Sequence, residues 1–438
     1  MPHLTGDALS GQPIDLIDTL DLVYSRLMSC RHYSLLAGLA LLAGLLASCH
    51  QGPPELMPRQ ELFHLQLGTL EDQMDLMLRN GLPTPEKNRF FYYHGLFLVA
   101  NGNARKVMEF TSYGGLVTLF YNPLDNPVPV QMGKGGVDQV QNRRAFPYPF
   151  RTVGEIAADS HDRLYVEDTV PDERITFDAT LKTRLSSVIL RFNQDGKIQD
   201  FLGQEGVGGT PFPPIDKLSV STSDVLTVLC RTGAGWAAWW FLPDGTLKAK
   251  AVIPWEGLPK LTGEPAGSFA DAESVRADPT QARLWLQVDY FRRNQDPTTK
   301  TESGISLIQS RILSFDPQRS AFLDGFALPI IAREPSRPGK EVLLGDRPLQ
   351  FLGLSRAGLL FFLSSPENGG ERLLVLDQQG RLVLERTIAY NAKENSWISD
   401  YQVTPSGVVV AMTCDGTKVD FSWWRSDKLL NTYAPLAF

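Results

Sequence analysis

From residue 88 onward the chain alternates short apolar runs, rich in Val, Leu, Phe, Tyr and Trp, with clusters of Gly, Pro, Asn and Asp. That alternation predicts an all-β chain, because branched and aromatic residues pack on pleated surfaces while the turn formers accept tight reversals. The clearest unit is SSVILRFNQDGKIQDFLG (186 to 203), a strand, an Asp195-Gly196 turn and a second strand. It recurs at 236 to 254 and 371 to 390, and more loosely at 105 to 122, 310 to 329 and 420 to 436. Each hairpin follows a run that reads as an earlier strand: 95 to 101, 162 to 168, 224 to 230, 282 to 290, 358 to 364 and 407 to 413. A further strand is expected before each of these, at 90 to 94, 153 to 159, 217 to 223, 272 to 278, 350 to 356 and 399 to 405.

Four strands in each of six units predict a six-bladed β-propeller over 88 to 438. A lone four-stranded blade cannot bury both faces, whereas blades stacked in a ring bury each other and leave only short edges. Trp239-Trp240 and Trp423-Trp424 are expected to fill the space between blades. The uneven spacing, with Gly115, Gly196, Gly245 and Gly380 at the turns, leaves two packed β-sandwiches as the rival. Long insertions after 122, 168 and 290 explain that spacing within a propeller, where insertions fall in loops. The unit RLYVEDTVP…SSVILRFNQDGKIQDFLGQEG (163 to 206) resembles the NHL-repeat propellers, and the other units match only in outline.

Upstream, Leu70, Met74, Met77 and Leu78 stand near helical spacing and predict one short amphipathic helix over 70 to 80, within an N-terminal segment of 61 to 87. Residues 49 to 60 are polar and Pro-rich and read as a tether. From Met28 the chain reads MSCRHYSLLAGLALLAGLLASC: Arg31, an apolar run from Leu35 to Leu46, then Leu46-Ala47-Ser48-Cys49. The run is shorter than the roughly 20 residues a spanning helix needs, so 28 to 48 reads as a signal peptide. These residues resemble the bacterial lipoprotein signal, which implies diacylglycerol on Cys49 and anchoring in a membrane. With the opening segment ELFHLQLGTLEDQMDLM (61 to 77), the chain is similar to uncharacterised NHL-type lipoproteins of spirochaetes. Asp7, Asp15, Asp18 and Asp21 make residues 1 to 27 acidic, the wrong sign for a signal n-region. They read as an extension upstream of a true start at Met28, the other reading being a long leader.

Composition narrows function more than fold. A net charge of -7 without a Lys/Arg-dense run argues against nucleic acid, since phosphate contacts need clustered cations. Cys230 and Cys414 end the second strands of units three and six, across the ring from each other, and are expected as two separate thiols. His50, His64, His94 and His161 show no ligand spacing, which disfavours zinc or a Ser-His-Asp site. Gly133 to Gly136 reads as a surface turn.

Propeller enzymes work at the central channel, so the loops after the second strands hold the candidates: Asn101, Asn103 and Arg105; Glu167 and Asp168; Arg231; Asp289, Arg292 and Arg293; Asp415. Two functions follow. The favoured one is a lipid-anchored binding or scaffolding module of the periplasm or outer-membrane surface, without a cofactor, presenting its loop face to a protein, peptide or glycan. The alternative is a hydrolase or lyase with a divalent cation such as Ca²⁺ in the channel, as propeller lactonases of similar architecture hold one through Glu, Asn and Asp. An envelope assembly factor would differ from the first only in its partner.

Overall fold

The computed structural model describes residues 55–77, 82–130, 143–263, 267–296, 298–299, 301–329, 349–364, 370–389 and 398–430. The expected leader, signal segment and Cys49 lie outside them.

The described chain is almost entirely antiparallel sheet, arranged as a six-bladed β-propeller. Blade one contains Asn88–Tyr93, Leu96–Asn101, Lys106–Thr111 and Leu116–Tyr121, with Arg144–Pro147 added in parallel at its outer edge. Blade two contains Ile156–Ala158, Leu164–Thr169, Ser187–Phe192 and Ile198–Gly203. Blade three contains Ile215–Val220, Leu226–Arg231, Gly235–Phe241 and Leu247–Pro254. In blade four, Ser268–Ala277, Leu284–Gln295 and Glu302–Asp316 are much longer than their counterparts, and the outer edge is two short pieces. Blade five contains Gln350–Leu354, Leu360–Ser364, Gly370–Leu376 and Leu382–Ala389. Blade six contains Ile398–Val403, Val409–Cys414 and Lys418–Trp424. The hairpin turns fall where the Gly-containing pairs predict them. Gly196 and Gly245 take positive φ, and Asn193 Oδ1 accepts from the amides of Asp195 and Lys197 to close the first of these turns.

One apolar core lies between each adjacent pair of blades, including six and one, and this decides for a ring over two sandwiches. Successive side chains on a strand point to opposite faces, so Trp239 packs in the core shared with blade two and Trp240 in the core shared with blade four. Each is fully buried, which contributes about 2–3 kcal/mol per large side chain. Trp424 is buried between blades five and six, while Trp423 packs more openly toward blade one. Cys230 and Cys414 are separate buried thiols in different inter-blade cores, and burial pushes both thiol pKa values up, which leaves them inert.

Three expectations upstream and at the C-terminal end need correction. The outermost strand of blade six is Gln60–Gln66, paired antiparallel with Lys418–Trp424, and not the residues after 424. Those form the short helix Asp427–Leu430, with 431 to 438 outside the described residues. A strand from the distant end of the chain closes the ring with backbone hydrogen bonds, Phe63 stacking on Phe421 at 4.6 Å. Second, residues 70 to 77 form no helix. Met74 and Leu76 alternate into the core between blades six and one, whereas Leu70 is 55% exposed. A helix would put Leu70 and Met74 on one face, but this segment must run from the outer rim to the innermost strand of blade one, and an isolated short helix is marginal in any case. Third, the expected tether is bound to the ring within its described part. Leu56–Met57 pairs in parallel with Thr387–Ile388 of blade five, and Met57 is buried.

Candidate functional site

In a four-stranded meander, the loop after the second strand and the link into the next blade emerge on the same face. Asn101, Asp168, Arg231 and Asp415 lie at that loop face, as their positions at strand ends imply. They do not converge on one site.

Asn101 is fully buried. Its Oδ1 accepts from the amide of Asp75, and its Nδ2 donates to Asp75 O and Asn88 Oδ1, each at 2.8 Å. Asn103 accepts from Thr84 Oγ1 at 3.4 Å, so both asparagines fasten the segment crossing the loop face. Exposed Arg105 pairs with Asp125 at 3.2 Å. Buried Asp168 accepts the amides of Arg151, Thr152 and Thr169; burial pushes its carboxyl up and these amides pull it back. Glu167 is a staple: it accepts from Lys87 Nζ at 2.8 Å, the Glu155 amide at 2.9 Å, Ser187 Oγ at 3.2 Å and the Ile215 amide at 3.4 Å. It thereby joins blades two and three.

Arg231 pairs with Asp271 and lies over the rings of Trp255 and Trp236. Asp289 is buried within its long strand beside Gln287, and burial pushes its carboxyl up. Arg292 and Arg293 are exposed on the projecting hairpin of blade four, Arg293 pairing with Glu302. Asp415 accepts from the amide and hydroxyl of Thr417 in its own turn.

The side chains that do converge come from the innermost strands. They line a pocket of about 420 Å³ at the mouth of the channel. Arg89, Asp216, Lys217 and Asp400 each sit second or third in their strands, and Arg276 reaches the pocket from deeper, one residue before its strand ends. Leu76, Pro83, Thr84 and Glu86 of the crossing segment form one wall. Inner strands ring a channel too wide for side chains to fill, so their axial positions stay polar.

The charges are largely cross-paired. Arg89 Nε meets Glu155 Oε1 at 2.6 Å, and Lys217 lies 3.9 Å from Glu155 and 3.6 Å from Asp400. Burial raises the Glu155 carboxyl pKa against the opposing pull of Lys217 and Arg89. Burial would lower Arg89, yet Glu155 and Asp400 hold it above the usual guanidinium value. At Arg276 burial wins and the pKa falls, although a guanidinium still keeps its charge at neutral pH. Arg276 donates through Nε to Leu352 O and through Nη1 to Val275 O, and its Nη2 has no hydrogen-bond partner among the described residues. The exposed Asp216 carboxylate makes no hydrogen bond or close ion pair among them, and its charge acts on Arg276 and Arg89 from a distance.

This donor set does not fit the divalent cation of the alternative reading. Three cationic side chains line the same pocket as its carboxylates, and no trio of His, Cys, Asp or Glu among the described residues is placed to hold a metal. On the opposite face Ser160, His161 and Asp224 meet, but Ser160 Oγ and Asp224 Oδ2 both lie 3.3 Å from the same His161 Nδ1. A relay needs one partner on each ring nitrogen. The converging pocket residues lie on inner strands and not in the loops that hold the other polar candidates. The signal was charge at the head of otherwise apolar inner strands, as in Asp216-Lys217 and Asp400.

No family model matches the sequence, and no curated protein does. Among solved structures the chain is similar to a gluconolactonase from Xanthomonas campestris, at 13% identity and a TM-score of 0.38, over 85% of this chain and 97% of that one. It is also similar to the β-propeller domain of the Trilobed protease from Pyrococcus furiosus, at 8% identity and 0.37, over 78% and 96%. A third is a protein of unknown function from Dyadobacter fermentans, at 9% identity and 0.39, over 83% and 98%. Likeness at this level carries no chemistry across, and the propeller stands on the sheets and cores of this chain.

Proposed function

We propose that this protein is a lipid-anchored binding module of the bacterial cell envelope, moored through Cys49 and offering its loop face to a protein, peptide or glycan partner. The observation that supports binding is the channel-mouth pocket. It combines a guanidinium edge on Arg276 that makes no hydrogen bond among the described residues with the exposed carboxylate of Asp216. Such a lining orients a polar ligand bearing both donors and acceptors. The apolar run before Leu46-Ala47-Ser48-Cys49 supports export and lipidation. Two or more acyl chains hold firmly where one is marginal.

The full chain in detergent micelles, applied to arrays of oligosaccharides and peptides, tests the reading. It should retain one ligand class, and Asp216→Asn with Arg276→Ala should weaken that binding at least tenfold, given about 1.5–3 kcal/mol for a charged hydrogen bond. Retention unaffected by the double substitution counts against the pocket, and turnover of the bound ligand would replace the binding reading with a hydrolase or lyase. Intact-mass analysis of the membrane-extracted protein should find a diacylglyceryl group that disappears in Cys49→Ser.

A further inference from the structure

A second cavity, of about 270 Å³, opens between blades one and two near the face opposite the loops. Its wall on blade one is one cross-strand row: Leu98 is paired with Glu109, Glu109 with Thr118, and Thr118 with Arg144. Paired residues share a face, and this face is the one turned toward blade two, whose neighbouring positions Phe91, Leu98 and Phe120 pack in the core between the two blades. Above the row the interface is apolar and closed. At the row it contains a carboxylate and a hydroxyl.

Neither group is fully satisfied among the described residues. Glu109 Oε1 accepts from Tyr93 Oη at 2.6 Å, and burial together with this anion raises the phenol pKa, so Tyr93 keeps its proton and remains the donor. Glu109 Oε2 has no partner among the described residues. Thr118 is 3% exposed, lines the cavity, and its Oγ1 has no hydrogen-bond partner among the described residues. An unmade bond on a buried hydroxyl costs about 1–3 kcal/mol, which a ligand donor would recover. Leu96, Leu98, Val117 and Phe146 give the cavity apolar lining, Asn193 and Gln194 add polar lining, and Asp162 and Asp195 stand exposed beside it. Arg144 lies at the rim, its Nη1 on Gln194 O at 2.7 Å and its guanidinium over Phe146. An acceptor pair beside apolar side chains, in a lining with three carboxylates (Glu109, Asp162, Asp195) against one cation (Arg144), matches a cation on an apolar stem.

We propose that this cleft is a binding site for a protonated primary amine on an apolar stem, as in a lysyl side chain or an alkylamine. The ammonium donates to Glu109 Oε2 and Thr118 Oγ1, the stem packs on Leu96, Leu98 and Phe146, and the acidic lining draws the cation in. The volume admits one such side chain.

The test is isothermal titration of the full chain in micelles at neutral pH with n-pentylamine and with Nα-acetyl-lysine methylamide. Neutral counterparts, 1-pentanol and Nα-acetyl-norleucine methylamide, serve as controls. Amines should bind roughly tenfold or more tighter than the neutral compounds. Glu109→Gln keeps an acceptor for Tyr93 and should abolish the difference with an unchanged melting temperature, and Thr118→Val should weaken amine binding several-fold. Preference for n-pentylamine would assign the slot to free amines, and preference for the lysyl compound to peptides. Equal affinity for amine and alcohol, or amine binding that survives Glu109→Gln, overturns the proposal.

Discussion

Lys106 has no exposed surface, and its Nζ donates to Leu70 O at 2.6 Å beneath the crossing segment. Burial pulls its pKa down to about 8, against the opposing charges of Asp72, Asp75 and Glu71. In the unfolded chain the same amine titrates near 10.5. Between these values the unfolded state holds a proton that the folded state lacks, so stability rises with pH across that window. Urea denaturation at fixed ionic strength should show the wild type gaining on the order of 3 kcal/mol over Lys106→Met between pH 8 and 10.5. A parallel pH dependence of the two proteins would mean that the ammonium is not buried at a cost. Residues of this kind read ambiguously in a sequence. Lys106 looks like a turn charge, and Asn101 and Asp168 look like loop ligands, because burial and backbone partners are set by segments far along the chain.

The crossing segment shows the same at the scale of an element. Its apolar residues suggest a helix, yet its backbone is satisfied by side chains of blade one and by the bridges Leu67–Met74 and Met77–Pro83. Removing its main anchor should loosen it locally. Asn101→Ala deletes three hydrogen bonds, one buried and two part-buried, and is expected to cost about 2 kcal/mol in denaturant midpoint analysis, with faster amide exchange concentrated in 70–77. An even loss of protection across all blades would refute the anchoring role. The strands themselves were legible, since period-2 runs bounded by Asp-Gly and Pro signals need only local information. The lengthening of Leu284–Gln295 and Glu302–Asp316 beyond their blade was not, because a projecting hairpin and an ordinary one share the same alternation.

For the whole molecule the decisive feature is the closure between blades six and one. Phe63 stacks on Phe421 and meets Phe97 edge-on at 5.2 Å, joining the N-terminal strand to both blades. Phe63→Ala should cost about 2 kcal/mol, less than a fully buried Phe because Phe63 is only partly buried. Amides of 60–66 and 418–424 should then exchange before those of blade three; simultaneous exchange would show that closure is not the weak point. By itself the sequence determined most of the strands, their turns and the number of four-stranded units, consequences of local patterning, and it favoured a ring as the way to keep both faces of each blade dry; the six inter-blade cores decided that ring. Only the tertiary structure decided that residues 60–66 close the ring, that Asn101 and Glu167 serve the fold, and that Arg89, Asp216, Lys217, Arg276 and Asp400 share one pocket. Those facts depend on which strand ends meet across the axis, and contacts between residues hundreds of positions apart leave no local pattern to read.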